Sequence, residues 1–128
     1  MIEVTCAIII EKEQILVTQR SESMPHPLKW EFPGGKLKEG ESAENCIKRE
    51  IREELGLEIR VDQLLRATVY SYDTHTIKLI PFRCTIVNGS VSPAEHRSFR
   101  WVPIKELAEL DWLEADVEVV RQLGDIKI

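Results

Sequence analysis

Residues 35–57 read GKLKEGESAENCIKREIREELGL. Ala43, Ile47, Ile51 and Leu55 recur every four positions, the spacing of one apolar stripe on an α-helix. Ser42 stands where an N-cap belongs, and Gly56 where a left-handed C-terminal residue belongs. The spacing therefore predicts a helix over 43–55. Glu50, Glu53 and Glu54 lie at i, i+3 and i+4, within an arc of roughly 100° beside the stripe. Like charges so placed destabilise an isolated helix and call for a counter-charge. Hard oxygen donors suit Mg²⁺ or Mn²⁺, whereas Zn²⁺ would prefer His and Cys. Arg49 and Arg52 flank the cluster and could orient or neutralise it. The alternative reading is an ordinary solvated face of charged residues.

Outward from this helix, the pattern changes to strands. Residues 2–10 and 14–20 (QILVTQR) are rich in β-branched and apolar types and read as a hairpin with EKE at its turn. SESMPHPLK is a surface loop, and WEF a strand fragment stopped by Pro33-Gly34-Gly35. LEIRV, RATVYSYD, TIKLIPFRCTIV and RSFRWV follow as strands, with Pro81 suggesting an edge or a bulge. PIKELAEL reads as a helix opened by its proline, and EADVEVVRQLG as a closing helix ended by Gly124. Strands, helix, strands and helices make a mixed α/β (α+β) domain, with helices packed on a sheet.

The 128 residues suit one domain with one substantial core. A net charge of −5 lends no support to binding a nucleic-acid polymer, which would want a basic face. An acidic chain can still take a polyphosphate if cations stand between the two. Cys6, Cys46 and Cys84 form no C-x-x-C pair, which points to a reducing cytoplasm. The start MIEVTCAIII has neither a basic n-region nor a long apolar run, so neither signal peptide nor membrane span is expected.

The helix belongs to a longer pattern, G-x5-E-x7-R-E-U-x-E-E-x-G-U, with U a bulky aliphatic. Gly35, Glu41, Arg49, Glu50, Ile51, Glu53, Glu54, Gly56 and Leu57 meet it without departure. On average residue usage, a chance match in a chain this short is rarer than about one in ten million. The pattern is the Nudix box, and the chain is identified as a member of that family. WEFPGGK just before the box resembles the MutT branch. The resemblance is strong over 30–57 and weak over 58–95.

That resemblance implies an α/β/α sandwich around a mixed sheet, with the box as a loop–helix–loop. It implies that Glu50, Glu53 and Glu54 hold Mg²⁺ (or Mn²⁺), joined by the carbonyl of Gly34 or Gly35. Arg49 would hold a catalytic carboxylate in place, Glu41 would lie near the cluster, and Glu50 or Glu53 would be the base. Cations are needed because a triphosphate repels hydroxide, and a bound cation both screens that charge and acidifies water. Glu95, six residues before Trp101, resembles a further metal-binding glutamate, or is a plain loop acid. Arg20 and Lys36 are candidate phosphate contacts; the alternatives are a strand-end ion pair and a surface lysine. Phe32, Tyr72 and Asp116 are candidates for base recognition. The aromatics would otherwise be core, and Asp116 a first-turn helix acid.

The implied reaction is hydrolysis of a nucleoside triphosphate to monophosphate and pyrophosphate. The E-H-x4-W segment and the Ala115-Asp116 pair resemble the CTP pyrophosphohydrolase branch, and the MutT branch is associated with 8-oxo-dGTP. The reading therefore leans to cytidine-type and modified pyrimidine triphosphates, with oxidised guanine nucleotides second. ADP-ribose and dinucleoside polyphosphates remain open within the family. A non-catalytic ligand-sensing module is disfavoured, because every acid of the box is present.

Overall fold

The computed structural model describes residues 1–92 and 98–124. Among these residues eight strands form one mixed sheet: β1 (Ile2–Glu11), β2 (Gln14–Gln19), β3 (Trp30–Glu31), β4 (Gly34–Lys36), β5 (Glu58–Leu64), β6 (Thr68–Ser71), β7 (Thr76–Asn88) and β8 (Ser98–Pro103). β1 is the hub. It runs parallel to β7 from Ile2↔Ile77 to Ile9↔Cys84, pairs antiparallel with β4 at Val4–Cys6, and turns into β2 at its end. β2 carries β8 and β3, and β7 carries β6 and then β5 on its far side.

Strand alternation sends β1 into two cores. Ala7 and Ile9 join Leu16, Ile80, Phe82 and Cys84 beneath α1 (Ala43–Leu55), whose Ile47, Ile51 and Leu55 are fully buried. Cys6 and Ile8 join Ile15, Val17 and Leu79 on the opposite face, under Leu107, Trp112 and the Val119 and Leu123 of α2 (Val117–Gly124). Burial on both faces is why this stretch of β1 is a continuous apolar run instead of an alternating one.

The box helix has the expected bounds. Ser42 Oγ accepts from Asn45 N at 3.1 Å, and Gly56 closes the helix at φ 69°. Crowding of its glutamates costs a few tenths of a kcal/mol per pair. Each buried aliphatic of the stripe contributes about 1.5–3 kcal/mol, so packing decides the helix and outweighs the crowding of its acids.

Four expectations change. Gly34-Gly35-Lys36 does not end the sheet but forms β4, because a Cβ at Gly34 would overlap the Thr5 carbonyl and only glycine lets the strands approach. Pro81 lies in interior strand β7, opposite Cys6. Its carbonyl accepts from Leu65 N at 2.9 Å, so its missing N–H faces the break where β6 gives way to β5 and no ladder bond is lost. Pro103 ends β8, and Ile104–Glu109 is a 3-10 segment; three residues per turn align Ile104, Leu107 and Leu110 on the core face. Glu114–Asp116 is a second 3-10 turn leading into α2. Among the described residues no helix is long and apolar enough to cross a membrane.

Candidate active site

Among the described residues β4 pairs only with β1, and its other edge meets α1. Pro33 O accepts from Ala7 N (2.8 Å) and Leu37 N donates to Glu3 O (3.1 Å). Residues 33, 35 and 37 therefore turn their backbone groups to β1, while the carbonyls of Gly34 and Lys36 point away from it. At Gly35 an added Cβ would collide with the Glu50 carboxylate, so the missing side chain is a cradle for that acid.

Arg49 ties the box together. Its Nε and Nη2 donate to both oxygens of Glu41 (2.7 and 2.9 Å), and Nη1 donates to Glu50 (2.8 Å) and Glu53 (3.2 Å). Nη2 also reaches the Lys36 carbonyl at 3.2 Å. This fork, with a further bond from Lys38 N, pulls the Glu41 carboxyl down to about 2. The same bonds push the Arg49 guanidinium upward, so it stays charged. Glu54 sits half-buried one position beyond Glu53. Among the described residues no three acidic, histidine or cysteine side chains close around one point; Glu50 and Glu53 turn instead to the Arg49 guanidinium. The donor set is all oxygen, and the Gly35 cradle brings a carboxylate against backbone, which fits a hard divalent cation.

Thr5 and Cys46, which the sequence did not single out, lie behind β4. Thr5 Oγ1 donates to Gly35 O (3.1 Å) and lies 3.3 Å from Cys46 Sγ, itself 3.4 Å from Lys36 O. Burial raises the Cys46 thiol above its ordinary value and keeps it protonated. The signal for Thr5 was a lone hydroxyl within an apolar strand.

A second group surrounds Asp116, 4% exposed. Trp30 N donates to Asp111 O and Leu113 N to Trp30 O (both 2.9 Å), which seats the 3-10 turn beside β3. Asp116 Oδ2 then accepts from Phe32 N at 2.8 Å. Burial first, and the nearby Glu31 second, push the Asp116 carboxyl well above the usual carboxylate range. Tyr72 is half-buried beside it, its hydroxyl accepting from Ala115 N at 3.3 Å and its ring against His26 and His75. Phe32 is core, packed on Trp112 with ring centroids 4.7 Å apart; it offers Asp116 its backbone and not its ring. Arg20 is committed to both oxygens of Glu31 (3.0 and 3.1 Å) and to Pro25 O, the strand-end ion pair of the alternative reading. Lys36 has an exposed side chain on a cleft of about 580 Å³ shared with Glu3, Lys38, Glu41 and Lys78. Glu95 lies outside the described residues.

The glycine-cradled, arginine-clamped row of glutamates beside a strand edge goes with a class of protein that comparison with known proteins identifies as hydrolases acting on nucleoside triphosphates. The chain belongs to the Nudix family: the NUDIX domain model matches residues 1–123. It is 31% identical to the CTP pyrophosphohydrolase of Escherichia coli K12, over 94% of this chain and 89% of that protein. It is 32% identical to putative 8-oxo-dGTP diphosphatase 2 of Mycobacterium tuberculosis, over 88% and 81%. Among solved structures it superposes on the MutT protein, a family Nudix hydrolase, of methicillin-resistant Staphylococcus aureus 252, with a TM-score of 0.77 and 38% identity over 95% and 94%. Nudix hydrolases generally use divalent cations and act on small nucleotide substrates.

Proposed function

We propose that residues 1–128 form one domain that hydrolyses nucleoside triphosphates to monophosphates and pyrophosphate with Mg²⁺, or Mn²⁺ in its place. The observation that carries this is the Arg49 fork holding Glu41, Glu50 and Glu53 against the Gly35 cradle. Glu50, Glu53 and Glu54, with the outward carbonyl of Gly34, would hold the metal; Glu95 is a further candidate. A cation held there would screen phosphate charge and make a water near it more acidic; a water is the attacking nucleophile. Glu50 or Glu53 takes a proton from that water as its oxygen bonds to the β-phosphorus. The bond from that phosphorus to the α-phosphate's oxygen breaks, and the monophosphate leaves with the electron pair. Lys36 is the basic side chain best placed to meet phosphate, since Arg20 is engaged by Glu31.

Asp116 reads the base beside Tyr72, with Phe32 acting through its backbone. With Oδ2 accepting from Phe32 N and the carboxyl favoured in its protonated form, Oδ1 is left to donate. A donor next to an acceptor matches the ring nitrogen and amino group of cytosine or of adenine; the likeness to the CTP pyrophosphohydrolase makes cytidine-type triphosphates the leading substrates. Oxidised guanine nucleotides are the second reading, supported by the 8-oxo-dGTP diphosphatase relative. Three free thiols fit the cytoplasm; the partner is a small nucleotide, with neither a nucleic-acid polymer nor a membrane.

The test is a nucleotide panel with pyrophosphate detection, run in magnesium and then manganese. It includes CTP, dCTP, modified pyrimidine triphosphates, 8-oxo-dGTP, ADP-ribose and dinucleoside polyphosphates. Preference for either of the last two would reject the triphosphate reading. Glu53→Gln and Glu54→Gln should each lose about a hundredfold or more in kcat with an unchanged melting temperature. Near-normal turnover at saturating magnesium would remove that residue from the site.

A further inference from the structure

Thr5 is fully buried in the middle of β1, yet it is polar, and a valine of the same shape would satisfy the core without it. Its hydroxyl is spent on Gly35 O, and through Cys46 Sγ it is joined to the first turns of α1. Cys46 Sγ in turn reaches Lys36 O and Gly35 O, and Arg49 Nη2 lies 3.8 Å from that sulfur. These contacts link the three elements that build the box: β1, β4 and α1.

We propose that Thr5 and Cys46 are positioning residues, a latch that sets the distance and rotation of β4 against α1 and so prepares the box for its metal. The hydroxyl and the thiol hold Gly35 O inward. By strand alternation this keeps the Gly34 carbonyl directed to the other edge and Gly35 under the Glu50 carboxylate. Without the latch, β4 keeps its ladder with β1 but loses this tie to α1, and the carbonyl and the carboxylate approach one point less closely. Groups behind metal ligands act in this way, and their removal typically weakens metal binding by 10–100-fold. The inference rests on the metal-dependent reading above.

Calorimetric titration of the full chain with Mn²⁺ alone tests it, because that measurement needs no turnover and no substrate. Thr5→Val should weaken Mn²⁺ binding by about tenfold or more, and Thr5→Ser should restore it by returning the hydroxyl. Cys46→Ala should weaken it in the same sense and Cys46→Ser should largely restore it. Assays should show the matching rise in the magnesium concentration for half-maximal rate, with the ranking of bases unchanged. A folded Thr5→Val or Cys46→Ala protein with wild-type Mn²⁺ affinity overturns the latch. So does a Thr5→Ser protein that binds as weakly as Thr5→Val, which would reduce the position to shape. If Thr5→Val does not fold, the serine variants and Cys46→Ala carry the same comparison. Failure of the wild-type chain to bind Mn²⁺ at all would count against the metal-dependent function itself, a separate outcome.

Discussion

Arg49 uses every nitrogen of its guanidinium within the box, on Glu41, Glu50, Glu53 and the Lys36 carbonyl. A lysine could satisfy one or two of these but cannot reproduce a planar fork on Glu41 while also touching Glu50. Arg49→Lys should therefore lower kcat by about tenfold or more with little change in nucleotide KM. Full activity would reduce Arg49 to a simple counter-charge. The pairing also has a pH signature. The Glu41 carboxyl is lowered from its ordinary 4.5 to about 2, so its contribution is complete above the ordinary value and fades only as pH falls through 2. An NMR titration of Glu41 with a midpoint near 4.5 would show that the fork does not form in solution.

At the scale of elements, the β1–β2 turn is the place where local sequence and conformation disagree. Lys12 and Glu13 both have positive φ (51° and 65°) in a two-residue loop, the geometry of a type I′ turn. Side-chain-bearing residues there cost roughly 1 kcal/mol each, and both are exposed. Replacing them together with Asn-Gly should stabilise the protein by about 1 kcal/mol in urea unfolding; a loss of stability would show that the two side chains make contacts in the folded state. The same turn shows what could be read from sequence. The hairpin was legible from its flanking apolar runs, although its turn carries neither glycine nor asparagine. The box helix was legible because stripe, N-cap and C-terminal glycine agree with one another. β4 was not, since Gly-Gly-Lys has no strand propensity and exists as a strand only because β1 approaches it. Asp116 could be suspected from its position before the last helix, but its coupling to Phe32 and Glu31 depends on contacts 84 and 85 residues apart in sequence. The Thr5–Cys46 contact joins residues 41 apart; a lone hydroxyl in an apolar strand marks Thr5, but nothing local marks its partner.

Across the whole molecule, the sheet separates the box, at the edge of β4 against α1, from the Asp116 group under α2, and β1 and β3–β4 bridge the two. Base reading at Asp116, as proposed above, would be coupled to global stability. The Asp116 carboxyl is raised by burial and by Glu31, so the folded state holds a proton that the unfolded chain releases near pH 3.9. A raised folded value means this contribution is complete below the unfolded pKa and is lost progressively as pH rises toward the folded one. Asn at this position keeps the size and cannot titrate. The stability of wild type relative to Asp116→Asn should therefore fall as pH rises above about 4, by at most about 1.4 kcal/mol per pH unit. Denaturant unfolding of both proteins from pH 4 to 8 measures the difference directly, independent of any loss from the altered hydrogen bond to Phe32. If base reading uses the same proton, selectivity for cytidine-type triphosphates should weaken over the pH range in which wild type loses stability relative to the variant. Parallel unfolding curves at every pH would mean that Asp116 is ionised in the folded protein. An acceptor-only carboxylate would then favour the guanine-type edge and reverse the order of the two substrate classes.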